Sequence, residues 1–386
     1  MKTIYLDSNA TTPLDTRVLE KMIPYFTEKY GNTESHNHFF GWESKEALEN
    51  SREVIANYIN ADPNEIIFTS GATESINLGI KGFCQNNFSK KNHIISQVTE
   101  HKAVLNTLDQ VKNNGWDVTL LPVDEYGFIN NNELINAITS KTSLVVLMHA
   151  NNEIGTMHDI KTIGEICKEN DLFFFTDVAQ TYGKTKLDVN SMNIDLLSAS
   201  AHKIYGPKGI GFLYVRKKNK TIDLLPLISG GGQEFGIRSG TTPVPLIVGL
   251  LEASKISFEN LYEEQKKTKL LRDNFLNEII QYLPETKING SMENRLNNNI
   301  NLSFPNIDAE SLLSKLNNIA CSTGSACSSN ALKSSYVLKA IGLDEELALS
   351  SIRVSFGRNN SNKESIFAAN EIIKAVKTIR KNHSNF

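Results

Sequence analysis

The stretch "SASAHKIYGPKGIG", residues 198–211, decides the fold. Small residues lead into His202 and Lys203, a Gly-Pro turn follows, and "GIGFLYVRK" (209–217) continues as an apolar run. The pattern predicts two strands joined by a short loop, with Lys203 at the end of the first strand. A lysine amine held in a partly dry place near other cations can form a Schiff base, whereas most lysines only solvate the surface.

Further apolar runs alternate with helical periodicity on the N-terminal side of this stretch. Helices are predicted at 15–30 and 43–60, among others. Alternating strands and helices predict an α/β fold with a mostly parallel central sheet covered by helices. The predicted strands lie at 65–70, 92–97, 116–123, 143–150, 172–179, 196–202 and 209–217.

The pattern changes after about residue 250. A long helical stretch at 243–283 leads into an Asn-rich loop, a strand, a helix, a cysteine loop at about 320–332, a further strand and a final helix. We predict a large domain at 15–250 and a smaller α+β domain formed by 1–14 and 251–386, which carries the cysteine loop.

Charge and hydrophobicity exclude several classes of protein. The chain of 386 residues has 40% hydrophobic and 22% charged residues, a net charge of −3 and a pI near 6.3. This balance argues against binding to nucleic acid or to an acidic membrane surface. No apolar run reaches the roughly 20 residues that span a bilayer, and the N-terminus has no signal-peptide core. We therefore expect a cytoplasmic protein.

The chain has four cysteines, at positions 84, 167, 321 and 327. None has the spacing of a zinc site, so no metal is predicted, and a chain of this type is not expected to hold a disulfide framework. Cys84 and Cys167 lie among apolar helix positions and are predicted to be core residues. Two interpretations remain for the thiols in the stretch "ACSTGSACSS" (320–329). Each is either an inert small residue that fills space or a nucleophile.

Polar residues follow several predicted strands. In "SGATES" (70–75) the start of a helix offers backbone N–H groups to an anion such as a phosphate, or it is an ordinary helix cap. Asp177 closes a buried strand and needs a partner, which a pyridinium nitrogen or a structural cap would provide. His101 is placed to stack on a ring and move protons, although most lone histidines do neither.

Nine motifs in order resemble the cysteine desulfurases of the NifS/IscS type, which are fold-type I enzymes of the class-V aminotransferase family dependent on pyridoxal 5′-phosphate (PLP). The resemblance covers residues 4 to about 380. The "AHKxxGPKGxG" and "STGSACSS" blocks are highly specific. The motifs are "YLDSNATTPLD", "FTSGATESINLGIKG", "EHKAV", "HANNEIGT", "TDVAQTYGK", "SAHKIYGPKGIG", "GGGQEFGIRSGTTPVPLIVG", "STGSACSSNAL" and "SSIRVSFGR".

The resemblance implies a role for each matching residue. Lys203 would carry the PLP, Asp177 would pair with its ring nitrogen, and His101 would stack on the ring. Thr241 would reach the phosphate of the other subunit, so the resemblance implies a homodimer. The remaining cofactor contacts would come from Ala72, Thr73, Asn152, Gln180, Ser200 and His202.

The resemblance also implies the reaction. Arg353, with Asn152, would bind the carboxylate of L-cysteine, since a guanidinium suits that group. Lys203 would take the α-proton, and the Cys327 thiolate would attack the substrate sulfur to give L-alanine and a persulfide. A loop of small residues suits delivery of that sulfur to an acceptor protein, for iron–sulfur cluster assembly or tRNA thiolation. Cys321 is interpreted as filler.

Two motifs depart from the family pattern, "GNTES" (31–35) and "DVAQ" (177–180), and neither loses a catalytic group. A selenocysteine lyase or another PLP enzyme of the aminotransferase family is the alternative, although an aminotransferase has no need of Cys327. A non-catalytic sulfur carrier is a third class, and it predicts loss of Lys203, Asp177 or His101, which are all present.

Overall fold

A computed structural model describes residues 3–87, 91–218, 222–323 and 334–383. Cys327 and most of the predicted cysteine loop, with its expected high mobility, lie outside the described residues. The strands are β1 Ile4–Tyr5, β2 Ile66–Thr69, β3 His93–Gln97, β4 Asp117–Leu121, β5 Thr142–Val146, β6 Phe173–Asp177, β7 Leu196–Ser200, β8 Gly211–Val215, β9 Lys287–Asn289, β10 Asn299–Ser303, β11 Ile319–Ala320 and β12 Ser351–Ser355.

Helices connect these strands and cover the sheets. They are α1 Thr16–Met22, α2 Pro24–Thr27, α3 Phe39–Tyr58, α4 Ala72–Asn87, α5 Lys102–Asn113, α6 Asn131–Ala137, α7 Ile160–Glu169, α8 Val244–Glu259, α9 Leu261–Tyr282, α10 Ala309–Lys315, α11 Tyr336–Ala340, α12 Glu345–Leu349 and α13 Asn362–His383.

A seven-stranded sheet has the order β2-β8-β7-β6-β5-β3-β4. The strands from β7 to β4 pair in parallel, whereas β8 is antiparallel to both β7 and β2. The β7–β8 pair is the strand–loop–strand unit predicted around Lys203, and its register places Ser200 opposite Gly211. The predicted α/β fold with a mostly parallel sheet is confirmed.

A smaller antiparallel sheet has the order β12-β10-β9, and β1 pairs with β11 nearby. Its buried apolar residues form a hydrophobic cluster with those of α9 and α13. Separate clusters line the two faces of the seven-stranded sheet. Helix α8 spans the predicted domain boundary at residue 250, and its residues Ala253 and Ile256 pack in the large-sheet cluster.

Two helical predictions were too long. The segment 15–30 divides into α1 and α2 at Pro24, because proline has no N–H to continue the helix. The segment 243–283 divides into α8 and α9 at Asn260, which ends one helix and begins the next. The core prediction for Cys84 and Cys167 is confirmed, since both thiols are buried.

Candidate active site

A cavity of about 1000 Å³, called the main cavity below, lies where β6 and β7 end and where α4 and α5 begin. Ligands in open α/β sheets bind at this edge, since the carboxyl ends of parallel strands meet there. The predicted site residues that line the cavity are Ala72, Thr73, His101, Asn152, Asp177, Gln180, Ser200, His202, Lys203 and Arg353.

Lys203 ends a short 3₁₀ turn, residues 201–203, that directly follows β7. Its Nζ donates to the carbonyl oxygens of Asn9 and Ala10 over 2.6 and 2.7 Å. These acceptors come from the N-terminal segment, which thereby holds the amine at the cavity wall. Sequence reasoning gave Asn9 no role, although it lies in the quoted motif "YLDSNATTPLD"; only the fold shows that its carbonyl faces the amine.

Asp177 is the last residue of β6 and is buried. Its Oδ1 accepts hydrogen bonds from the N–H of Ala179 over 2.9 Å and the hydroxyl of Ser198 over 3.2 Å. Burial raises the pKa of the carboxyl, and the charges of His101 and Lys203 oppose that rise. A cationic ring nitrogen would stabilise the charged carboxylate.

His101 is the N-cap of α5, and its Nδ1 accepts the N–H of Ala103 over 3.1 Å. In the neutral ring the proton is therefore assigned to Nε2. Gln180 donates through Nε2 to the carbonyl of Asn9 over 3.0 Å. Its buried Oε1 has no hydrogen-bond partner among the described residues, so this acceptor suits a donor on a bound group.

The start of α4 forms the anion-binding part of the cavity. Gly71, with a φ of +146°, precedes the helix, and a Cβ on it would lie 3.6 Å from the Ser200 hydroxyl. A side chain on Gly211 would collide with Gly71, so two glycines permit this close approach of the backbone. The N–H groups at Ala72 and Thr73 then lie at the positive end of a 16-residue helix.

His202 supplies a further polar group at the same wall. Its Nδ1 lies 3.1 Å from the hydroxyl of Thr11. Burial, with the nearby charges of Lys203 and Lys208, lowers the pKa of His202 to about 4. At neutral pH the ring is uncharged, so it contributes a hydrogen bond rather than a charge.

Arg353 lies in β12 and its side chain is buried. Its guanidinium donates to the Asp7 carboxylate over 2.7 Å and to the carbonyl of Asn152 over 3.1 Å. Glu153, also on the cavity wall, lies near Arg353 and Ser335, and burial raises its pKa to about 7. Sequence reasoning missed Asp7 and Glu153, because the sequence around a carboxylate does not indicate which distant side chain it will contact in the folded chain.

The described ends of the cysteine loop both reach this site. On one side, Ser322 exchanges backbone hydrogen bonds with Arg353 over 2.6 and 3.3 Å. On the other side, Ser334, Ser335 and Tyr336 line the cavity. The segment that carries Cys327 therefore leaves and rejoins the described chain beside the main cavity.

Cys321 differs from the thiol predicted to react. It is partly buried and packs against the cluster of the smaller sheet. Burial raises the pKa of this thiol to about 12, with the Asp7 charge adding to the effect. A thiol in that state is a poor nucleophile at neutral pH, which agrees with its interpretation as filler.

Thr241 is exposed and does not line the main cavity of this chain. The preceding segment is fixed to the large sheet, because Glu234 accepts two hydrogen bonds of 2.8 Å from the buried Arg52 and one from the N–H of Phe68. The segment that precedes Thr241 is therefore held against α3 and β2.

The described residues contain no group of three or more histidine, cysteine or acidic side chains that could hold a metal ion. None of the helices in the described part of the chain is both long enough and apolar enough to cross a membrane.

A lysine, a buried carboxylate and a helix N-terminus thus surround one cavity at the sheet edge where α/β enzymes bind their ligands. Residues 4–365 match the class-V aminotransferase family. The chain belongs to this family and, within it, to the cysteine desulfurases. It is 49% identical to the cysteine desulfurase IscS of Rickettsia typhi, over 98% of this chain and 92% of that protein.

Solved structures agree with this assignment. A NifS-like protein with 36% identity superposes with a TM-score of 0.91, covering 97% of this chain and all (100%) of that one. A structure of SspA in complex with cysteine, 40% identical, gives a TM-score of 0.82 over 92% of this chain and 99% of that one. The family and fold predicted from the motifs are confirmed.

Proposed function

We propose that this protein is a PLP-dependent cysteine desulfurase that converts L-cysteine to L-alanine. The substrate C–S bond breaks, an S–S bond to Cys327 forms, and a proton takes the place of sulfur on the substrate carbon. Cys327 is left as a persulfide, whose outer sulfur passes to an acceptor protein for iron–sulfur cluster assembly or tRNA thiolation. One observation carries the proposal. Lys203 lies in the main cavity, and the described residues on either side of the Cys327 segment lie beside the same cavity.

The residues of the main cavity fit PLP. The amine of Lys203 would hold its aldehyde carbon, and the amides at Ala72 and Thr73, with Ser200 and His202, would hold its phosphate. The buried carboxylate of Asp177 suits the ring nitrogen, and Asn152 and Gln180 offer polar groups to the 3′-oxygen side. When bound, PLP supplies an electron sink for the substrate Cα.

The protein's own groups would then bind the substrate and move its protons. Arg353 binds the substrate carboxylate with Asn152 beside it, since a guanidinium recognises that group in a fixed plane. Nζ of Lys203 would take the α-proton, and Nε2 of His101 would serve a second proton transfer. Asp177 stays ionised when a cation pairs with it, which offsets the cost of its burial.

A homodimer is part of the proposal. Aromatic side chains at the end of α2 and the start of α3 are exposed, and contiguous exposed apolar surface on a folded chain marks an interaction site. The hydroxyls of Thr33 and Thr242 are 3.4 Å apart, which connects this surface to the Thr241 loop. A second copy on this face would let Thr241 reach its PLP phosphate. The exposed aromatic surface consists of Phe26, Tyr30, Phe39, Phe40 and Trp42.

We also retain the division into a large domain at 15–250 and a smaller one at 1–14 and 251–386. Separate hydrophobic clusters under the two sheets support it. Because Ala253 and Ile256 pack with the large sheet, the end of α8 is the alternative position for the boundary. The cytoplasmic location stays a prediction of the sequence.

The deciding experiment measures alanine release from L-cysteine by the PLP-loaded protein with a reductant present. Cys327→Ala is expected to retain the PLP colour and to lose alanine release, whereas Cys321→Ala, the matched control, keeps it. Equal release by native protein and Cys327→Ala would contradict the proposal and favour a lyase. Release of alanine from selenocysteine alone would favour the selenocysteine lyase.

A further inference from the structure

Tyr205 lies two residues after Lys203 and has a backbone φ of +65°. This left-handed conformation is uncommon for a residue with a bulky side chain. Such a conformation persists only where the surrounding structure enforces it, and it concentrates at functional sites. The contacts of Tyr205 therefore identify the residues that enforce this conformation.

Several contacts hold Tyr205 in place, including a side-chain hydrogen bond with Ser8. Its N–H donates to the hydroxyl of Thr12 over 2.8 Å, and its carbonyl accepts the N–H of Asp15 over 3.0 Å. The guanidinium of Arg358 lies 3.9 Å from the centre of its ring. The phenol oxygen accepts the backbone N–H of Arg358 over 2.6 Å. One residue, Arg358, thus contacts both the face and the hydroxyl of Tyr205.

Arg358 is itself fixed by three further elements. Its guanidinium lies 3.1 Å from the carboxylate of Asp15, which caps α1, and 3.0 Å from that of Glu264 in α9. It also donates to the hydroxyl of Ser257 in α8 over 2.9 Å. A planar guanidinium suits these simultaneous contacts, because it stacks on a ring while its edge donates hydrogen bonds.

The same contact reaches the strand that carries Arg353. Arg358 follows Arg353 by five residues, just beyond the end of β12. Between them, Gly357 approaches Tyr205 so closely that a Cβ would lie 2.6 Å from the phenol oxygen. The turn after Lys203 and the end of β12 are therefore packed directly against each other.

We propose that Tyr205 and Arg358 are positioning residues that fix the distance between the Lys203 amine and the Arg353 guanidinium. The inference rests on the proposed function, in which Lys203 takes the α-proton of an amino acid whose carboxylate Arg353 binds. Both groups must act on one small molecule, so the turn and the strand that carry them have to keep one separation.

The test compares Tyr205→Phe and Arg358→Lys with Tyr182→Phe. Phenylalanine at 205 keeps the ring and removes the acceptor for Arg358, and lysine at 358 keeps a charge without the stacking plane. Tyr182 is the matched control, since its buried hydroxyl is bonded to Ser254 over 2.9 Å in the core of the large sheet and lies outside the main cavity.

Four quantities are measured: kcat and KM for L-cysteine, the visible circular dichroism of bound PLP, and thermal stability. We expect kcat to fall about 10-fold or more in both test variants, the scale of a small misplacement of catalytic groups. The circular dichroism band should change with it. Tyr182→Phe should lose similar stability and keep kcat and the band unchanged. Parallel losses in all three variants, in proportion to stability, would overturn the proposal.

A measurement without cofactor separates this inference from the proposed function. In the PLP-free full-length chain, reductive methylation of Lys203 is followed by mass spectrometry, with Lys168 as internal reference, since it is exposed on α7 and does not line the main cavity. Tyr205→Phe and Arg358→Lys should raise the relative rate at Lys203 several-fold, because the hydrogen bonds to Asn9 and Ala10 depend on the position of the turn. An unchanged rate would contradict the inference even if the protein proves to be a cysteine desulfurase.

Discussion

Arg353 and Asp7 form an ion pair over 2.7 Å at the wall of the main cavity. A second nitrogen of the guanidinium donates to the carbonyl of Asn152, which fixes the plane of the group. The buried Nε of Arg353 has no hydrogen-bond partner among the residues described. A buried donor of this kind is costly without a ligand, and a substrate carboxylate would satisfy it.

Replacing Arg353 with lysine tests that assignment. We expect KM for L-cysteine to rise ~10–100-fold, or about 1.4–2.8 kcal/mol, because an ammonium cannot make the paired contacts of a guanidinium. Arg216→Lys is the control, since Arg216 is also buried and ion-paired, with Asp195 over 3.0 Å, but does not line the cavity. Steady-state kinetics should show an unchanged KM for Arg216→Lys. A similar rise of KM in both variants would contradict the assignment of Arg353 to the substrate carboxylate.

Asp177→Asn should separate stability from activity. Burial raises the pKa of Asp177, so its ionised form destabilises the cofactor-free fold, and the neutral amide should raise the melting temperature at pH 7. In the PLP-loaded enzyme kcat should fall by ~10²-fold, the scale of losing one well-placed electrostatic contact.

Asp195→Asn is the counterpart of this variant. Asp195 is buried and paired with Arg216, so its neutralisation should lower the melting temperature. Thermal unfolding of both cofactor-free variants checks the signs. A lower melting temperature for Asp177→Asn would show that its hydrogen bonds outweigh the cost of its burial.

The proposed dimer predicts the effect of polar residues in the exposed aromatic surface. Phe39→Ser with Trp42→Ser should yield monomers in sedimentation, because these side chains are 64% and 58% exposed in the single chain. Alanine release should fall with dissociation, as Thr241 would lose contact with the second site. Tyr262→Ser alters an equally exposed aromatic on α9 and should leave the dimer intact. A native protein that sediments as a monomer would refute this part of the proposal.

Two buried histidines make the fold sensitive to acid. Burial lowers the pKa of His149 to about 3 and that of His158 to about 4, from an ordinary value of 6.5. The unfolded chain therefore binds these protons first, and stability is lost as the pH falls from 6.5 toward 4. Urea unfolding between pH 4 and 7 should show a shallower loss in His158→Gln, and an identical slope would exclude His158 as a cause.

Glu100 has the opposite effect on the pH dependence of stability. Burial raises its pKa to about 8, so the folded chain retains a proton that the unfolded chain loses near 4.5, and stability falls as the pH rises between these values. Glu100→Gln should flatten this fall in stability, measured by extending the same urea series to pH 8. The hydrogen bonds that Oε1 accepts from Gln97 and Met148 can persist in the amide.

Much of the fold and the site follows from local sequence. Apolar runs bounded by small polar residues placed the seven strands of the large sheet, since strands covered by helices on both faces are rich in apolar residues; β4, at the edge of the sheet, is the least buried of them. Lys203, Asp177 and His101 were recognisable because each stands where such a run stops or a helix starts. The helix breaks at Pro24 and Asn260 were missed, since apolar periodicity continues across both.

The contacts between distant segments were decided only by the tertiary structure. The carbonyl of Asn9 meets Lys203, the carboxylate of Asp7 meets Arg353, and the ring of Tyr205 meets Arg358, all across more than 150 residues of chain. Sequence alone determined which side chains the strand ends would carry, because local pattern sets local structure. It did not determine their partners, because those depend on how the packed sheets bring the N-terminal segment and β12 to the same cavity.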